Sequence, residues 1–155
     1  MDFKSRAVRN LVDLHERELR AFLVTWRKFL AAGAPMPDAR GDESYASRDH
    51  LIGHVLMAAR GYMVRSCEWV GRPVTDVDMT TDAAAVAGRF EAFAEEVLAA
   101  YRRHLALVVT EELEEQKHKT RWGALMSVEM LLEHAVVHPM RHGIQLERIL
   151  AGSPD

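Results

Sequence analysis

Apolar residues recur at intervals of three and four along four stretches of this chain, and prolines, glycines and charges break the pattern between them. That spacing gathers apolar side chains on one face of a helix. The first stretch, about 2–32, carries Val8, Leu11, Val12, Leu19, Phe22, Leu23, Trp26, Phe29 and Leu30, with Gly33 set to close it. Pro35, Pro37, Gly41 and Asp42 then predict a loop, since two prolines that close cannot sit inside a helix. Ser47 is placed to N-cap a second helix over about 47–70, with Leu51, Val55, Ala58, Tyr62 and Met63 on one face and Gly71 and Pro73 as its stop. A third helix, about 82–108, starts at Thr81 or Asp82 and carries Val86, Phe90, Phe93, Val97, Leu98, Tyr101 and Leu105. The polar run from Glu111 to Arg121 predicts a long connection with at most a turn of helix. Ser127 is the N-cap of a fourth helix, about 127–150, with Glu129 well placed for the helix dipole. No stretch alternates apolar and polar residues with β-branched side chains, so no strand is predicted. The expectation is one domain, 1–155, all-α, built as a four-helix bundle.

The inward seam of the fourth helix reads Val128, Leu131, Ala135, His138, His142, Gln145, Ile149. Two imidazoles, one turn apart on one face, interrupt an apolar line. On the second helix, Leu51, His54, Val55, Ala58 and Tyr62 share a face, so His54 also points inward. Burying unpaired polar groups costs about 1–3 kcal/mol each, so something must satisfy these rings. Three inward imidazoles from two helices make the open three-histidine site typical of catalytic zinc. His54, His138 and His142 are therefore the candidate metal ligands. His134 falls on the flank of the seam and His50 lies nearer the loop; both are weaker candidates. His15, without a partner four residues away, reads as a core histidine satisfied by a carbonyl or a tyrosine. His104 and His118 sit among charges and read as solvated. Pro139 removes the hydrogen bond to the carbonyl of Ala135 and should kink or unwind the helix there.

Bulk properties narrow the function further. Lys plus Arg is 20, Asp plus Glu is 23, and net charge is −3, which argues against nucleic acid and anionic membranes as partners. The single cysteine, Cys67, excludes an internal disulfide and reads as a packed thiol. Residues 1–13 are charged throughout, with no signal-peptide core, and no apolar run approaches the ~18 residues of a membrane span. A cytoplasmic protein is expected. Trp26, Trp69 and Trp122 read as core and rim packing. The one Glu-x-x-His match that a di-iron bundle would need, Glu115 to His118, falls in the polar connection. Phosphate-binding loops, nucleophile elbows and Cys-x-x-Cys pairs are missing from the sequence.

With these residues in view, the chain resembles the DinB/YfiT-like superfamily of metal-binding four-helix bundles. The resemblance rests on length, four helices, the early histidine in Leu51-Ile-Gly-His54-Val, and the closing His138-Pro-Met-Arg-His142-Gly-Ile-Gln145. The family commonly closes with H-x-x-x-H-R-G-Q; Gly143 and Ile144 stand here where it has Arg and Gly, so no role of that arginine is carried over. The resemblance implies a divalent metal, zinc or nickel, on His54, His138 and His142, and a homodimer. It also implies, from some relatives, a transferase or isomerase that uses a low-molecular-weight thiol such as mycothiol or bacillithiol. The expected function is a metal-dependent enzyme acting on a small-molecule substrate; the alternative is a non-enzymatic metal or small-ligand binding stress protein. The residues name no catalytic acid or base. The enzyme reading expects a solvent-accessible cleft at the metal, bordered by the loop before the second helix and the connection before the fourth. Arg121 and Arg141 are the candidates to attract an anionic substrate or cofactor there.

Overall fold

A computed structural model describes residues 2–38, 41–114 and 116–152. Helix α1 spans Arg6–Ala31, and the Ser5 hydroxyl caps it by accepting from the backbone N–H of Val8. It starts four residues later than the apolar pattern suggests, directly after its Ser5 cap. Helix α2 spans Arg48–Trp69 and is capped, as expected, by Ser47, which accepts from the N–H of His50. Helix α5 spans Val128–Leu150 and is capped by Ser127.

The third predicted helix is two helices: α3, Ala83–Ala87, and α4, Phe90–Leu105. Gly88 caps α3, and Arg89 leaves the helical region at φ −136° before α4 begins. Arg89 pairs with both Asp78 and Glu96. The short α3 lies hard against α2: a Cβ on Gly53 would sit 2.8 Å from the Cβ of Ala83, so only glycine fits there. The polar connection also differs from expectation. It holds a 3-10 turn, Thr110–Glu112, and a two-stranded antiparallel hairpin of β1, His118–Lys119, and β2, Leu125–Met126. Gly123, at φ +88°, turns that hairpin. Two residues per strand are too few to leave an alternating pattern in the sequence. Glu115, of the Glu115–His118 match, lies outside the described residues.

Helices α1 and α5 pack on each other, and α2 packs on α3, α4 and α5. The core between them holds Leu19, Trp26, Leu51, Leu56, Met63, Phe93, Tyr101, Leu105 and Leu146, all buried. Among the described residues the molecule is all-α apart from the small hairpin. Among the described residues, no helix is long and apolar enough to cross a membrane.

Pro139 does not interrupt α5, which stays helical on both sides of it. The carbonyl of Ala135, which would have bonded to the missing N–H, finds another donor. His15 Nδ1 of α1 lies 2.9 Å from it, with the imidazole stacked on Tyr101 at 4.2 Å between ring centroids. The core histidine thus answers the helix-breaking proline.

Candidate metal centre

Helix periodicity delivers the three histidines. On α5, His138 and His142 replace apolar residues on the buried face and are only 4% and 1% exposed. On α2, His54 follows Leu51 by one turn and is half-buried at the edge of the same interface. The rings meet with centroids 4.9 Å apart for His54–His138, 5.3 Å for His54–His142 and 4.8 Å for His138–His142. One ligand nitrogen from each lies within 4.8 Å of those of the other two. The Nε2 atoms of His54 and His138 are 3.0 Å apart.

The outer faces of the rings are held by groups the sequence did not single out. Ser44 Oγ lies 3.1 Å from His54 Nδ1, and the Tyr45 hydroxyl lies 3.4 Å from His142 Nδ1. Both come from a 3-10 turn, Glu43–Tyr45, which Asp42 caps by accepting from the N–H of Ser44. Gln145, one turn after His142, adds a hydrogen bond to it. Asp42 and Ser47 as successive caps mark a turn before α2 in the sequence, but nothing there aims Ser44 or Tyr45 at the histidines. With the outer nitrogens of His54 and His142 so occupied, His142 Nε2 is buried without a hydrogen-bond partner, and so is His138 Nδ1.

Electrostatics keep the cluster neutral. Burial lowers the pKa of His54, with the Arg141 charge acting the same way and Asp42 opposing it. Burial lowers His142 to about 4, helped by the neighbouring His54 and by Arg141. His138 is held lowest, by burial first and then by His142 and His54. At neutral pH all three rings therefore keep free lone pairs, the form that binds metal.

Neither weaker candidate joins the cluster. His50 is exposed and bonds to Ser47 Oγ at 2.8 Å. His134 stands aside, stacked on Trp122 at 5.6 Å, with its ring centroid 6.3 Å from that of His138. The two histidines expected to be solvated have partners. His118 stacks on Trp69 at 4.6 Å, and His104 Nε2 lies 2.8 Å from an Asp76 oxygen without hydrogen-bond alignment. Each stands beside a neighbour that sequence distance hides. Cys67 is buried, and burial pushes its thiol up to about 11, in keeping with a packing role.

A cleft of about 490 Å³ opens beside His54. The connection before α5 borders it through Thr120, Arg121 and Trp122, as expected. The loop before α2 does not; it covers the histidines through Ser44 and Tyr45, and the segment around Met79 and Thr81 forms the second wall. Trp122 is thus a cleft residue and not only rim packing. Arg141 is exposed, and its charge reaches all three rings of the cluster.

Comparison with family models, with curated proteins and with solved structures gives no match for this chain. What the arrangement can do therefore follows from its own chemistry. Three neutral nitrogens on a rigid two-helix frame, with second nitrogens of two rings held from outside, are suited to grip one divalent ion.

Proposed function

We propose that this chain is a metal-dependent enzyme of the DinB-like type: a four-helix bundle in which His54, His138 and His142 hold one divalent ion, zinc or nickel. The observation that carries the reading is the meeting of three neutral imidazoles from two helices, with ligand nitrogens within 4.8 Å of one another. The residues fit an ion better than they fit a plain core. The buried, unpartnered His142 Nε2 would cost about 1–3 kcal/mol in a packed interior, and a metal removes that cost. A bound divalent ion supplies Lewis acidity and lowers the pKa of a coordinated water or thiol.

The chain's own residues set the stage. Ser44, Tyr45 and Gln145 fix the orientation of His54 and His142. Arg141 and Arg121 favour an anionic partner near the cluster and in the cleft. That cleft, reaching His54, supports an enzyme over a module that merely stores an ion, because structural sites are closed by a fourth ligand and catalytic ones keep a position open. The same reading takes a low-molecular-weight thiol as co-substrate, a small electrophile as substrate, a homodimeric state and a cytoplasmic location.

The test is metal analysis of protein purified without a nickel column. His138→Ala and His142→Ala should each lose stoichiometric metal and the metal-dependent gain in melting temperature. His104→Ala, away from the cluster, should keep both. Equal metal content in all three variants would overturn the reading. Turnover with a panel of thiols and electrophiles, with His142→Ala as control, then separates enzyme from binding module.

A further inference from the structure

The cleft beside His54 is a groove laid along one face of α2. His54, Ala58, Gly61, Arg65 and Glu68 recur every three or four residues and form its floor. From His54 to Arg65 that floor runs about 16 Å, at about 1.5 Å of rise per residue. Gly61 stands at its middle. A glycine inside a helix costs about 0.5–1 kcal/mol relative to alanine. Gly53 offsets that cost by letting another element approach: a Cβ there would meet Ala83 at 2.8 Å. A Cβ on Gly61 would meet nothing within 4 Å. No packing and no turn requires this glycine; its one structural effect is to keep the groove deep.

The walls are built, not incidental. Arg60, buried on α2, donates through one nitrogen to the carbonyls of Asp78 and Thr80 at 2.7 and 2.8 Å, which pins Met79 along the groove. On the other side Thr120 and Gly123 close the hairpin turn that presents Trp122. Met79 and Trp122 each remain 55% exposed, so two large apolar side chains border the groove, and Trp122 also stacks on His134.

The groove also carries positive charge. Arg60, Arg65 and Arg121 line the groove against one carboxylate, Glu68, in a chain whose net charge is −3. Arg60 is engaged with carbonyls. Arg65 touches Glu68 at 3.3 Å, a surface pair of little strength, and Arg121 makes no ion pair with a described residue.

We infer that this groove binds an elongated, largely apolar molecule ending in an anion. The anionic end sits between Arg65 and Arg121, the body lies over Gly61 between Met79 and Trp122, and the opposite end lies at His54. That the His54 end is the reacting end rests on the metal-site reading; the groove, its glycine and its arginines do not. A volume of about 490 Å³ suits a small molecule of this shape.

Calorimetric titration with decanoate, decanol and acetate tests it. Decanoate should bind about tenfold or more tighter than decanol, and acetate alone should not bind measurably. Replacing both arginines (Arg65→Gln with Arg121→Gln) should bring decanoate down to the affinity of decanol. Gly61→Leu should lose both chain-bearing ligands while the melting temperature holds or rises; Gly61→Ala, adding one methyl, should weaken them in part. Equal affinity for acid and alcohol, no binding of decanoate, or unaltered binding by the glycine variants would overturn the inference. Metal content of the same preparations reports separately on the histidine site, so loss of one reading is distinguishable from loss of the other.

Discussion

His15 and His142 are both almost fully buried, and burial pushes both down to about 4. They differ in what they face. His15 gives one nitrogen to a carbonyl and lays its ring on Tyr101; His142 turns Nε2 toward two other imidazoles. Both are neutral when folded and would take up a proton near pH 6.5 when unfolded. The unfolded chain thus binds more protons between pH 6.5 and about 4, and stability rises with pH across that window. Each pH unit within it costs about 1.4 kcal/mol per such histidine. The metal-free protein should therefore hold a constant urea midpoint above neutrality and lose stability steadily on acidification through that range. His15→Leu should lower stability at pH 7, through the bond lost at Ala135, and flatten the acid slope. An unchanged slope in that variant would show that the ring does not titrate on unfolding.

At the scale of elements, α5 and α1 are linked by a substitution of donors. Pro139 withholds an N–H from Ala135, and His15 supplies one from the neighbouring helix. The pair should therefore couple. His15→Leu should cost about 1–3 kcal/mol in the parent chain, by orphaning a buried carbonyl. It should cost about 1 kcal/mol less in a Pro139→Ala background, where the helix regains its own donor. A double-mutant cycle in urea measures this, and strict additivity would refute the link. Sequence showed the vacant bond at Ala135 but not its new donor, because a partner 120 residues away leaves no local mark. The caps Ser47 and Ser127 were legible because capping is a local chemistry. The break at Gly88 was not, because the apolar stripe from Val86 to Leu105 runs across it without losing phase. The histidine cluster was legible from spacing on two helices, whereas Ser44 and Tyr45, which hold its rings, come from a loop without periodicity. The groove was the hardest to see: an exposed glycine in a helix looks the same whether it is tolerated or needed.

At the scale of the molecule, the candidate site and the core share one requirement, that α5 be in place. Helix α1 rests largely on α5, and His54 on α2 meets its two partner imidazoles only there. During synthesis, at about 5–20 residues per second, the 23 residues of α5 take about 1–5 s to make. Throughout that interval the buried face of α1, with Phe22 and Trp26, lacks its main cover, and His54 is a lone imidazole. A released chain ending at residue 127 should accordingly be cut readily by protease within α1, whereas a released chain carried through residue 152 should resist. Resistance in the shorter chain would mean that α1, α2 and α4 hold together unaided. Otherwise the helix that brings two of the three imidazoles is also the one that ends the nascent chain's exposure to chaperones and proteases, so an ion can be gripped only after quality control has lost its hold.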